Sequence, residues 1–313
     1  MALYRNSLPQ LSGEIFLIDG GIETSLIFDQ GLDLPLFAAY PLLDTVEGRA
    51  ALRIYLAPYL DLASEHGTGF IIETPTWRAN ADWGAQLGHD AAELDRINRL
   101  AVDVALETRH SCEVVAPVLI SGLLGPRGDG YVVDQVMTPA DAAAYHHAQI
   151  ATFADTEADL ITAITMTTAE EATGVVLAAQ ALNMPAVIGF TVETDGRLPS
   201  GMSLGEAITA VDNATDSWAA YFMINCAHPT HFADALDSSQ PWTTRIRSIR
   251  ANASMMSHEE LNEAEELDAG DPADLAARYL SLREMLPRIN VVGGCCGTDH
   301  RHIAAIAQAL API

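Results

Sequence analysis

Eight short apolar runs recur along the chain, at residues 14–21, 69–76, 113–122, 158–166, 185–194, 221–229, 248–254 and 289–297. Stretches with apolar residues at helical spacing separate most of them, such as DRINRLAVDVALETRH ahead of the third run. Within each run the apolar residues are continuous rather than alternating. Strands buried on both faces read this way, because helices cover a parallel sheet on each side. Eight strand–helix units predict an α/β fold, a single (β/α)8 TIM barrel domain over residues 1–313. A doubly wound open sheet is the competing architecture, but no G-x-G-x-x-G follows the first run.

The polar residues of these runs gather at their C-terminal ends: Asp19, Glu73, Thr74, Thr191, Glu193, Asn225, Cys226, Asn252, Cys295 and Cys296. In a barrel that end carries the chemistry, so the pattern brings residues far apart in sequence to one mouth. The leucines of PADLAARYLSLREMLP (272–287) follow helical spacing and read as core. SSQPW (238–242) reads as loop, and the acidic stretch 258–271 as loop and solvated helix.

Composition narrows the chemistry. Of 313 residues, 42 are acidic and 16 basic, a net charge of −26, and every base is arginine. Without lysine there is no Schiff base, no pyridoxal aldimine and no P-loop lysine. The negative field argues against nucleic acid and against anionic membrane surfaces as partners. No basic segment with an apolar core opens the chain, and no apolar run approaches the ~20 residues of a membrane span. A soluble, cytoplasmic protein is expected, and a homo-oligomer is compatible with the sequence without being required by it.

Four cysteines, two of them adjacent, do not make a disulfide framework. A bridge between Cys295 and Cys296 would be strained. Cys226 ends the sixth run as the pair ends the eighth, and in a barrel these ends open on the same mouth. Three thiolates could meet there at one zinc, leaving its fourth position open. Competing readings are buried small hydrophobes, a phosphate loop at GGCCG, and a redox couple. Cys112 lies before the third strand, at the wrong end for catalysis. His228 and His231 follow Cys226 closely enough to reach the mouth, whereas His300 and His302 read as helix-start residues.

The motifs LIDGGIETSL (17–26), IIETPTWRAN (71–80), GFTVETDGRLPSGMSLGEAI (189–208), INCAHP (224–229) and GGCCGTDHRHI (293–303) run the length of the chain. In this order they resemble the homocysteine S-methyltransferase family, the homocysteine-binding barrels of S-methylmethionine-dependent and betaine-dependent enzymes and of cobalamin-dependent methionine synthase. The resemblance implies a Zn2+ ion held by Cys226, Cys295 and Cys296, a small thiol acceptor and a cationic sulfonium or ammonium methyl donor. With homocysteine as acceptor the product is methionine. It implies an acceptor site at Asp19, Gly20, Thr74, Asn225 and Asn252, with Asp19 facing the acceptor's ammonium. No segment resembles a cobalamin- or folate-binding unit, so a small donor is the simplest case, and Trp77 is placed to face a quaternary cation. One position departs from the family. Ile164 stands where the family carries a glutamate that also holds the ammonium. Either Glu73 or Glu193 substitutes for it, or the acceptor is not homocysteine.

Overall fold

The fold was taken from a computed structural model, which describes residues 2–133, 136–264 and 266–311. All eight runs become strands: β1 Phe16–Leu17, β2 Gly69–Glu73, β3 Val118–Leu124, β4 Leu160–Met166, β5 Ala186–Phe190, β6 Tyr221–Asn225, β7 Ile246–Ala251 and β8 Val291–Gly294. They pair in sequence order, every pair parallel, and β8 closes on β1, giving a (β/α)8 barrel. Helices such as Val46–His66, Ala91–Ser111, Pro139–Ala154 and Ala169–Ala181 return the chain between strands. Only short helical turns at 229–235 and 241–245 join β6 to β7.

Strand alternation sorts the apolar residues into two shells. Phe16, Ile71, Leu119, Leu160, Ile164, Val187, Tyr221, Met223 and Val291 fill the barrel interior. Their strand neighbours, among them Leu17, Ile72, Ile120, Ile161, Ile188, Ile224 and Val292, face the helices. Ile164 therefore belongs to the apolar plug of the barrel and is only 7% exposed. Helix starts follow local chemistry: Asp90 and Glu93 cap each other across the first turn of Ala91–Ser111, and Asp299 does the same with His302 in His300–Leu310.

Polar contacts close the N-terminal face. Asp159 accepts from the backbone N–H groups of Tyr4 (2.8 Å) and Ile120 (3.0 Å) and pairs with Arg109 at 3.2 Å. Arg5 donates to the carbonyls of Ala154, Thr156 and Ala158. Among the described residues no helix is long and apolar enough to cross a membrane.

Candidate metal centre

Cys226 leaves β6 in the left-handed region, φ +52°, and Thr165 leaves β4 at φ +57°. Such a backbone is costly for residues with a side chain and concentrates at functional sites. The turn at Cys226 carries its sulfur toward the end of β8. The Sγ atoms of Cys226, Cys295 and Cys296 all lie within 4.8 Å of one another. Cys226 and Cys295 are 2% and 7% exposed, and Cys296 is half-buried.

In this structure Cys226 and Cys295 are joined as a disulfide, and Cys296 is free. The sequence pattern spoke against a strained bridge within the adjacent pair, and none forms there. It did not anticipate one between the two strand ends. A disulfide and a three-thiolate metal site are alternative states of one juxtaposition, so metal binding requires the reduced pair. The donor set fits zinc: three sulfurs converge from two strand ends and leave one position for another ligand. Burial, reinforced by Glu23, pushes the Cys296 thiol up to about 11. A bound cation is what would favour the thiolates here.

The backbone around the cysteines is held on every side. Cys226 donates to the carbonyl of Arg250 (3.0 Å), and Cys295 to that of Ala251 (2.8 Å). The Cys226 carbonyl accepts from Asn252 Nδ2 (3.1 Å) and pairs with His258 Nε2 (2.6 Å). Gly294 donates to Asp19 O, Gly297 to Thr24 Oγ1 and Thr298 to Cys295 O. The amides of Gly294, Cys295, Gly297 and Thr298 are thus engaged within the fold, whereas a phosphate loop presents free N–H groups. Gly21 has to be glycine, because a Cβ there would meet the Cys295 carbonyl oxygen at 2.5 Å.

Tyr131, from the loop after β3, puts its hydroxyl 3.8 Å from Cys296 Sγ, and its ring lies 4.2 Å from that of His258. His258 also contacts Glu193 at 3.1 Å. Two rings thus cover the sulfurs. Of the expected histidines, His228 caps the short helix Pro229–Phe232 and His231 pairs with the Met255 carbonyl. His300 and His302 start the last helix, and Cys112 follows the end of Ala91–Ser111, as the sequence pattern indicated.

The other expected site residues are at the mouth, but several are already engaged. Arg250, at the end of β7, pairs with Glu73 and with Asp19 (2.6 Å), and donates to the carbonyls of Gly20 (2.9 Å) and Gly294 (2.7 Å). Asp19 also accepts from Tyr55 Oη at 3.1 Å. Burial pushes the Asp19 and Glu73 carboxyls up while Arg250 pulls them down. Asp19, expected to face an ammonium, is therefore compensated from within the protein. So is Glu73, one of the two substitutes for the missing glutamate. Glu193 is partly exposed and bound to His258. Thr74 bonds Thr76 and the Leu123 amide. Asn225 accepts from Thr165 N (3.0 Å), leaving its buried Nδ2 without a partner, and Asn252 likewise has a buried, unpartnered Oδ1. Trp77 is not an open aromatic face. It donates to Thr165 Oγ1 at 2.8 Å, and the Arg78 guanidinium lies 4.3 Å over its ring.

A cavity of about 620 Å³ lies elsewhere, between Asp195, Arg197, Glu206 and Trp242, and reaches no cysteine.

A parallel eight-stranded barrel with three convergent sulfurs at its C-terminal mouth defines a class, and sequence comparison agrees: the homocysteine S-methyltransferase profile matches residues 16–310, and the chain belongs to that family. Among solved structures the chain is similar to the homocysteine methyltransferase MmuM from Escherichia coli. The metallated form is 20% identical with a TM-score of 0.72, over 94% of this chain and 96% of that one. The oxidized form is 21% identical with a TM-score of 0.73, over 93% and 94%. No curated protein matches the chain in sequence.

Proposed function

We propose that this protein is a zinc-dependent S-methyltransferase that moves a methyl group from a sulfonium or ammonium donor to a small thiol, with homocysteine the leading acceptor and methionine its product. One observation carries the reading: in a chain of this family, three cysteine sulfurs from β6 and β8 meet within 4.8 Å at the barrel mouth. Cys226, Cys295 and Cys296 would hold Zn2+, and the bound ion would keep an acceptor thiol deprotonated and nucleophilic at neutral pH.

The chain's own residues supply position and dryness. The acceptor thiol gives its proton to solvent. Its sulfur then forms a bond to the donor methyl carbon while the carbon–sulfur or carbon–nitrogen bond breaks. The bonding pair leaves with the donor as a neutral thioether or amine. No general base is needed in that step; close approach and exclusion of water are. Tyr131 and His258 cover the sulfurs and provide both. Asn252 and His258 fix the carbonyl of Cys226, and so the direction of its sulfur. The orphaned Asn225 Nδ2 and Asn252 Oδ1 are available to polar groups of an acceptor.

The test is a matrix of thiols against S-methylmethionine, S-adenosylmethionine, betaine and dimethylsulfoniopropionate, with methylated product detected by mass. Cys296→Ser should lose both the metal and turnover. Full turnover in a metal-free Cys296→Ser protein would end the proposal.

A further inference from the structure

Tyr131 reaches Cys296 at the end of β8 from the far side of β1 and β2, on the loop that follows β3. Residues 125–133 of that loop are described, and they form neither strand nor helix. Side chains from other elements brace the backbone instead. Asn80 Nδ2 donates to the Pro126 carbonyl at 3.1 Å, the Arg127 amide donates to Glu171 Oε1 at 2.7 Å, and Trp83 Nε1 donates to the Gly128 carbonyl at 3.2 Å. Successive residues are thus each tied by a different side chain. Asp129 Oδ1 then accepts the amides of Tyr131 (2.8 Å) and Val132 (3.1 Å). Both ends of the segment rest on the Trp77 ring: a Cβ at Gly125 would meet it at 2.6 Å, and one at Gly130 at 3.1 Å.

The braces are unequal. Asn80, Asp82 and Trp83 belong to one short stretch after β2. Arg127 Nε pairs with Asp82 at 2.7 Å, but the two side chains are 40% and 44% exposed, and an exposed pair holds little. Glu171 comes from a separate element, the helix Ala169–Ala181, and its carboxylate is buried. Thr168 caps its amide at 3.2 Å, which fixes the backbone there. The same Oε1 contacts His146 Nε2 at 2.9 Å, on the helix Pro139–Ala154. A buried carboxylate makes a strong acceptor for a backbone N–H, and the methyl transfer proposed above makes no other use of this pair.

We propose that Glu171 is a positioning residue for that transfer. It fixes the root of the loop at Arg127, and through it the placement of the Tyr131 hydroxyl over Cys296. The effect on turnover rests on the proposed thiol methylation; the effect on the Cys296 thiol does not.

Alkylation by iodoacetamide reads the cover over Cys296 and needs neither metal nor substrate. In the oxidised protein Cys226 and Cys295 are bridged, and Cys112 and Cys296 are the free thiols. Cys112, after the helix Ala91–Ser111 at the other end of the barrel, reports general loosening. Glu171→Leu should speed alkylation of Cys296 about tenfold, the weight of one hydrogen bond to a charged acceptor, with Cys112 within about twofold. Arg127→Pro removes the amide itself and leaves Glu171 and His146 paired, so it should match Glu171→Leu even where that variant folds poorly. Arg127→Ala loses only the exposed ion pair and should stay near wild type. Tyr131→Ala should speed Cys296 as well, and adding Glu171→Leu to it should bring no further rise, because both act on one contact. In the zinc-loaded protein Glu171→Leu should lower kcat for homocysteine about tenfold with KM within about twofold. An unchanged Cys296 rate in Glu171→Leu and Arg127→Pro, a parallel rise at Cys112 in both, or multiplied effects in the double variant would overturn the assignment. Homocysteine turnover equal in wild type and Glu171→Leu would also overturn it and leave the proposed function standing. A freed Cys296 with no thiol methylated by the wild-type protein would sink the proposed function and leave the brace of Tyr131 in place.

Discussion

Arg250 and Arg78 stand at the same end of the barrel, 3% and 9% exposed, and differ in what surrounds them. Arg250 meets two carboxylates and two carbonyls, all from its own chain. Arg78 meets two indole faces and leaves its Nε unused. Burying a charge is costly in both cases. At Arg250 the cost is offset within the fold, and the result is a strut tying β1, β2, β7 and β8 together beneath the mouth. At Arg78 the offset comes from two indole faces, and the Nε stays without a partner. Saturation of partners separates the two, although both are buried arginines at the mouth that carries the cysteine cluster.

The largest expected effect tests that contrast by stability. Arg250→Met leaves Asp19 and Glu73 buried against each other and should cost about 3–5 kcal/mol in urea denaturation, whereas Arg78→Met should stay within about 1 kcal/mol of wild type. Similar losses at both positions would erase the distinction. A smaller effect is expected at Trp83, which fixes the guanidinium at 3.5 Å. Trp83→Ala should cost about 1 kcal/mol in the same denaturation, the value of one cation–π contact. An unchanged stability would mean that Trp77 alone holds the guanidinium.

The smallest effect lies just outside the mouth. Burial alone would raise the Asp299 carboxyl, but His302, the Arg301 side chain and the Arg301 amide together hold it well below the ordinary carboxylate range. A depressed carboxyl contributes stability above its unfolded value and loses it as pH falls further. Asp299→Asn keeps the helix cap and removes the charge, so it should destabilise the protein modestly at pH 7 and progressively less below about pH 4. A loss independent of pH would assign Asp299 to capping alone.

How much of this was legible in the sequence follows from what each signal depends on. The eight strands were readable because continuous apolar runs report burial on both faces, which is local. The cysteine cluster was readable because strand ends six and eight are forced to one mouth by closure of the barrel. The engagement of Asp19 and Glu73 was not, since it depends on Arg250, an arginine inside the seventh run whose partners lie on β1 and β2. Tyr131 comes from the loop after β3 and His258 opens the short helix His258–Glu263, neither with a periodic signal, and only the fold brings them beside the cysteines. Glu23 and Arg78 sit inside the quoted motifs LIDGGIETSL and IIETPTWRAN, so their positions were visible. What was hidden was that Asp19 and Glu73 pair with Arg250 while the Nε of Arg78 has no partner. Ile164, the departure marked in the sequence, sits in the apolar plug of the barrel, and of the two expected glutamates Glu73 pairs with Arg250 and Glu193 with His258.

The account rests on a metal at Cys226, Cys295 and Cys296 that makes a thiol the nucleophile. The most direct measurement reduces the protein, strips it of metal, and follows homocysteine methylation as zinc is added back. Turnover should start near zero, rise linearly and stop at about one zinc per chain. Full turnover in the stripped protein, or a rate indifferent to added zinc, would contradict it.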